Sequence, residues 1–161
     1  MKRFMPLAWY RGNIMQQTVK SSRARVWLNK LKTTFSKPQN AILLALGYAG
    51  IRLLIVRHTY QELESNHIRI LRPQLAQVAE YKATTRTFTF LNGSTLEFGY
   101  CASDGDMDRY QGAEYDVIFL DECTQLREQW MRQFAACLRG VNDFPRRIYY
   151  TCNPGGPGHS Y

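Results

Sequence analysis

Two adjacent acids, Asp121 and Glu122, close a stretch that reads Tyr-Asp-Val-Ile-Phe-Leu-Asp-Glu from Tyr115 onward. The four apolar residues Val117 to Leu120 are too few for a helix and suit a strand buried on both faces, as in a parallel sheet. Ligands bind at the carboxyl ends of such strands, so the acids would be displayed at a site. That layout is a Walker B element. Its first acid holds Mg²⁺, usually through water, and its second orients or deprotonates a water attacking a γ-phosphate. The plain alternative is a buried strand followed by acids that suit the first turn of a helix over Thr124 to Gly140.

The chain that must position these acids has 161 residues, enough for one domain with a real core. Its net charge of +8 is unevenly spread: residues 1–61 hold 11 Lys and Arg and no acid, whereas residues 62–161 hold 10 basic and 13 acidic residues. A basic arm of this kind suits nucleic acid, an Arg-rich presequence or sequence outside the fold. No apolar run approaches the roughly 20 residues of a membrane span, the run Ala41 to Leu46 being far shorter. Cys101, Cys123, Cys137 and Cys152 form no C-x-x-C pair, so thiols in a reducing compartment are expected rather than zinc ligands.

Residues 1–39 show scattered aromatics, no sustained period, and Pro38 as a breaker. From Asn40 the pattern becomes regular. Ala41 to Leu46 reads as a helix stopped by Gly47 and Gly50, and Ile51 to Val56 as a second buried strand. Thr59, with Glu62 three residues on, caps a helix expected to run to Leu71 and close at Pro73. Thr87 to Leu91 and Ser94 to Tyr100, joined by Asn92-Gly93, predict a β-hairpin. Asp104, Asp106 and Asp108 have the alternate spacing of a calcium loop but not its remaining ligands, so a solvated loop or helix start is expected. Leu126, Trp130, Phe134 and Leu138 form a core stripe on the helix Thr124 to Gly140. Arg146 to Cys152 reads as a third parallel strand, and the Gly/Pro loop after it could set Thr151 and Asn153 near a γ-phosphate. Helix alternating with strand is the rhythm of an α/β sheet.

Four segments together, Ile51 to Glu62 (IRLLIVRHTYQE), Phe90 to Tyr100 (FLNGSTLEFGY), Tyr110 to Thr124 (YQGAEYDVIFLDECT) and Tyr150 to His159 (YTCNPGGPGH), resemble the ATPase domain of phage terminase large subunits in order and spacing. The resemblance implies an α/β fold, a P-loop NTPase-like, mostly parallel sheet flanked by helices. It further implies a β-hairpin insertion around residues 87–100, a partial ATPase domain over 40–161 behind a basic segment 1–39, and no C-terminal nuclease domain. It gives Asp121 the Mg²⁺ role, Glu122 the role of catalytic carboxylate, and Thr151, Cys152 and Asn153 the motif that senses the γ-phosphate and couples hydrolysis to DNA movement. Many relatives carry an arginine where this chain has Gln111, which leaves Arg109 and Arg57 as candidate arginine fingers. The implied cofactors are ATP and Mg²⁺. The implied partners are double-stranded DNA, a portal protein, a small terminase subunit and further copies in a ring, in the host cytoplasm and transiently at the capsid portal vertex, with no membrane.

One element of that family is not recognisable. A G-x-x-x-x-G-K-[ST] loop is needed upstream of Ala41 so that backbone N–H groups and a lysine cradle the phosphates. No glycine lies between Gly12 and Gly47. Lys32-Thr33 stands at the right distance as a degenerate phosphate loop, but Val26 and Leu31 occupy the glycine positions, where a Cβ obstructs both positive φ and close phosphate approach. The expectation is a truncated terminase gene, out of register over residues 1–39 and inactive as an isolated chain. The competing expectation is a non-enzymatic remnant or basic DNA-binding module held to phosphates by charge.

Overall fold

The computed structural model describes residues 37–140 and 142–151. Its centre is set by the two continuous apolar runs. β1 (Arg52–Arg57) is buried from its second residue onward and β5 (Val117–Asp121) throughout. They pair in parallel from Leu53 opposite Val117 to Val56 opposite Leu120. Side chains of both point into apolar layers above and below, so neither strand shows the alternation of a half-exposed sheet.

β4 (Thr95–Tyr100) lies parallel to β1 on one side, and β6 (Arg147–Thr151) lies parallel to β5 on the other. β3 (Thr87–Phe90) turns back antiparallel to β4 through Asn92-Gly93, with Gly93 at φ +81°. β2 (Ala79–Lys82) adds an outer antiparallel strand, giving the order β2-β3-β4-β1-β5-β6. The hairpin over 87–100 is therefore continuous with the main sheet, its second strand being the neighbour of β1. Its turn is also anchored: Asn92 Nδ2 donates to Ala45 O at 2.7 Å and Ser94 Oγ to Tyr48 O at 2.5 Å.

Helices cover both faces. On one, α1 (Lys37–Gly47) and the segment α2 (Tyr60–Leu63), a π-turn (Glu64–Ile68) and α3 (Arg69–Leu75) bury Ile42, Leu63, Ile68 and Leu75 against Leu53, Ile55 and Phe119. On the other, α4 (Asp104–Met107), two 3₁₀ turns (Asp108–Tyr110 and Cys123–Gln125) and α5 (Glu128–Ala136) bury Tyr110, Leu126, Trp130 and Phe134 against Leu54, Val56, Ile118 and Leu120.

Three boundaries differ from the sequence reading. Pro38 opens α1 instead of breaking the chain, because a missing N–H costs nothing in a first helical turn. Pro73 lies inside α3, which continues to Leu75 because Leu71 and Leu75 are both buried. The helix expected over Thr124 to Gly140 is interrupted: Leu126 is extended and fully buried, and the α-helix spans only Glu128–Ala136. The acids consequently precede a single 3₁₀ turn and do not sit at an α-helix N-terminus.

The amino ends of β1, β5 and β6 are pinned by Asp116, which is completely buried. Its Oδ2 accepts from Arg52 N at 2.8 Å and Asn142 Nδ2 at 2.9 Å, and its own carbonyl accepts from Arg147 N at 3.0 Å. Gly140 packs so tightly here that a Cβ would collide with the Asp116 carboxylate. Asp116→Ala removes the acceptor of the part-buried Arg52 N–H and of Asn142, and should lower unfolding free energy by about 1–3 kcal/mol in urea titrations.

Candidate functional site

β5 carries Asp121 to the carboxyl edge of the sheet while keeping it paired with Thr151 of β6. The Asp121 side chain is almost fully enclosed, and contacts from three elements converge on it. Thr151 Oγ1 donates to Asp121 Oδ1 at 3.0 Å and lies 3.2 Å from Leu120 O. His67 Nε2, from the π-turn, is 3.1 Å from Asp121 Oδ2. Arg57, the last residue of β1, brings Nε within 3.5 Å of the same oxygen.

Glu122 leaves the strand in the left-handed region, at φ 54° and ψ 48°. For a residue with a Cβ this conformation costs roughly 1–2 kcal/mol, so surrounding contacts must hold it. They are visible. Arg57 Nη2 meets Glu122 Oε1 at 2.5 Å, and Gln125 Nε2 donates to Glu122 Oε2 at 2.8 Å. The turn thus swings the second acid back across the strand end, where one guanidinium faces both acids.

Glu62 completes the cluster. Its Oε2 lies 4.0 Å from Arg57 Nε and is buried without a hydrogen bond, as is Arg57 Nε itself. Three carboxylates thus surround one guanidinium. An orphaned carboxylate oxygen beside two further acids fits a divalent cation. Among the described residues no three potential donors are already gathered as ligands. A cation held by Asp121 and Glu122 would accordingly complete its shell with water or phosphate oxygens, the usual habit of Mg²⁺.

Of the residues singled out in the sequence, Asp121, Glu122, Thr151 and Arg57 are brought together. Arg109 is not: from the 3₁₀ turn it stacks over the Tyr100 ring at 4.1 Å from the centroid and pairs with Asp106 of α4. Gln111 is exposed and donates to Asp108 Oδ1 at 2.9 Å. Lys32, Thr33, Cys152 and Asn153 lie outside the described residues.

The acidic connection forms a helix start, as expected. Ser103 and Asp106 make a capping box, and Asp104 accepts from Trp130 Nε1 at 2.6 Å. Burial alone would raise the Asp106 carboxyl, but donors on Ala102 and Ser103, together with Arg109, hold it below the usual carboxylate range. Cys101, Cys123 and Cys137 are buried and joined by no disulfide. Burial pushes the Cys101 thiol up to about 12, away from the thiolate form that a nucleophile needs.

Two members of the cluster were missed as site residues, His67 altogether and Glu62 beyond its capping role. A signal existed in the strict four-residue spacing of Leu63, His67, Leu71 and Leu75. At 3.6 residues per turn such a stripe drifts by about 40° each step, and an inserted π-turn resets it.

The fold is a mostly parallel six-stranded α/β sheet flanked by helices, with two acids displayed at the carboxyl end of its central strand. Within that fold class, residues 28–161 match the family described as terminase large subunit, T4likevirus-type, N-terminal, and the chain belongs to this family. The match includes residues 28–39, and α1 itself begins at Lys37, upstream of the sequence-based boundary at residue 40.

Solved structures agree on the fold. The large terminase of a thermophilic bacteriophage superposes with a TM-score of 0.60 at 19% identity, over 76% of this chain and 32% of that one. The complex of the same terminase with ADP gives 0.58 at 18% identity, over 73% and 30%. The HK97 bacteriophage large terminase gives 0.50 at 10% identity, over 70% and 25%. The chain therefore spans about a third or less of the solved terminases it resembles. No curated protein sequence matches it.

The cluster predicts its own energetics. Arg57→Ala strips the buried Asp121 of its cation and should destabilise the fold by about 3–5 kcal/mol in chemical denaturation, and adding Asp121→Asn should recover at least half of that loss. A cost under about 1 kcal/mol would mean that water, not Arg57, compensates these carboxylates.

Proposed function

We propose that this chain corresponds to part of the ATPase domain of a phage DNA-packaging motor, carrying its acid half without a recognisable phosphate cradle and inactive in isolation. The observation that carries this reading is the pair of acids at the carboxyl end of the central parallel strand, Asp121 locked in place and Glu122 turned across the strand end by a left-handed residue. Its fold is supported by the terminase structures, one of them solved with ADP and another with ATP-gamma-S.

In this reading Asp121 holds Mg²⁺, directly or through water, and Glu122 orients the attacking water. When bound, the metal would supply positive charge to the oxygens of the transferring phosphoryl group. The chain's own residues do the positioning. Thr151 fixes one Asp121 oxygen and ties it to β6, which suits the coupling role assigned to Thr151, Cys152 and Asn153. Glu122 has one oxygen on Arg57 and the other on Gln125, so receiving a water requires one of these contacts to yield. Arg57, enclosed and facing its own chain's acids, acts in cis. Arg109, outside the cluster on an exposed turn, is the arginine better placed to reach a neighbouring subunit. Double-stranded DNA, the portal, the small subunit and a ring of copies are the partners this role entails. Its setting is the host cytoplasm and the portal vertex.

The acids are half of a site, and the phosphate cradle is the other half. The absence of glycine at positions 26 and 31 favours a second reading, a DNA-binding module without turnover. The two separate in one experiment. The unaltered chain should show no DNA-stimulated ATP hydrolysis. Val26→Gly with Leu31→Gly recreates the loop spacing around Lys32-Thr33, and should tighten Mg²⁺-nucleotide binding at least tenfold by calorimetry and give turnover that Glu122→Gln abolishes. A folded glycine variant that binds no nucleotide would contradict the ATPase reading. Turnover by the unaltered chain, lost in Glu122→Gln, would show that Lys32-Thr33 already serves as the cradle.

A further inference from the structure

We propose that His67 is a positioning residue for Asp121, and that the π-turn Glu64–Ile68 exists to deliver it. The inference rests on the reading of Asp121 as the metal-side acid, and it adds a residue and a backbone device that this reading does not contain.

The geometry is specific. His67 is 9% exposed, and its Nε2 lies 3.1 Å from Asp121 Oδ2, across 54 residues of sequence. An ionised carboxylate only accepts, so the hydrogen bond requires Nε2 to carry the proton. Thr151 takes the opposite oxygen at 3.0 Å. Arg57 faces Oδ2 as well, but its Nε makes no hydrogen bond. His67 and Thr151 therefore grip the carboxylate at both oxygens and prevent it from rotating about Cβ–Cγ. A metal-side acid gripped in this way loses less freedom when it takes a cation.

The π-turn is what brings the imidazole there. Glu62 and His67 both approach the same cluster, Glu62 toward Arg57 and His67 toward Asp121. Residues five apart diverge by about 140° on an α-helix, whereas i→i+5 bonding stacks them on one side. The π-turn overlaps that span, with the Arg69 N–H donating to Glu64 O, and so narrows the divergence between Glu62 and His67. Leu63 and Ile68 remain fully buried on either side, so the turn serves the core and the site together. The Phe98 ring, 6.4 Å away centroid to centroid and tilted 31°, flanks the imidazole and leaves Nε2 directed at the acid.

The test is Mn²⁺ titration of the full chain, read by the electron paramagnetic resonance of the free ion, for the unaltered protein, Asp121→Asn, His67→Phe and His67→Gln. Phenylalanine keeps the ring's packing without a donor, and glutamine places an amide N–H near the position of Nε2. The expected result is an affinity about 10–100-fold weaker in His67→Phe, recovered to within about threefold in His67→Gln. Circular dichroism should report both variants folded. Should His67→Phe destabilise the chain, the comparison of His67→Gln with Asp121→Asn carries the test: glutamine must bind like the unaltered protein and asparagine must not. Affinity unchanged in His67→Phe, with Asp121→Asn weakened, overturns the role of His67 and leaves the metal reading standing. Affinity unchanged in Asp121→Asn overturns both.

Discussion

A single guanidinium facing three carboxylates is the interaction on which the rest of this structure turns. Arg57 reaches Asp121 and Glu122 from the neighbouring strand and draws Glu62 toward them from the following helix. Arg57 and Asp121 are taken far out of water, and charges so enclosed are tolerable only when paired. That requirement explains several otherwise separate facts: the left-handed backbone at Glu122, the π-turn in the helix above, and the hydroxyl of Thr151 turned onto the strand end. One guanidinium facing three acids leaves room for a further cation, which is the basis of the site we propose.

The two ends of β5 divide the work. At the amino end Asp116 is fully buried and directs its contacts to backbone and Asn142, fixing where β1, β5 and β6 begin. At the carboxyl end the carboxylates of Asp121 and Glu122 are held by the side chains of Thr151, His67, Arg57 and Gln125. A strand rigidly registered at one end presents its other end reproducibly, and preorganised acids of this kind are what phosphoryl transfer demands of a protein. The packing between is continuous: Leu54, Ile118 and Leu120 fill one face, Leu53, Val117 and Phe119 the other.

What could be read from the sequence followed the strength of local signals. β1 and β5 were legible because strands buried on both faces are unbroken apolar runs, and the hairpin because Asn92-Gly93 leaves few alternatives. β2 was not legible: Ala-Glu-Tyr-Lys is short and half exposed, and it is held by tertiary pairing, with Tyr81 packed on Phe88 at 4.7 Å. The acids were legible as a pair, but their partners were not. Arg57 could be named only as a strand-end arginine, and His67 looked like any helical histidine. Both join the site from positions distant in the chain, and a left-handed Glu122 is decided by what pulls on its side chain rather than by propensity. The helix expected directly after the acids failed for the same reason.

Membership of the large-terminase family and the mostly parallel α/β sheet place the chain, while the chemical claim we propose belongs to the cluster: Asp121 and Glu122 would take a divalent cation in exchange for part of Arg57's hold. The most direct measurement is a crystal structure grown with Mn²⁺ and ADP, with the metal located by its anomalous scattering. The account predicts an anomalous peak beside Asp121, bonded directly or through one water, with Arg57 withdrawn from at least one acid. Saturating Mn²⁺ that leaves no peak there, with Arg57 still closed on both carboxylates, would contradict it.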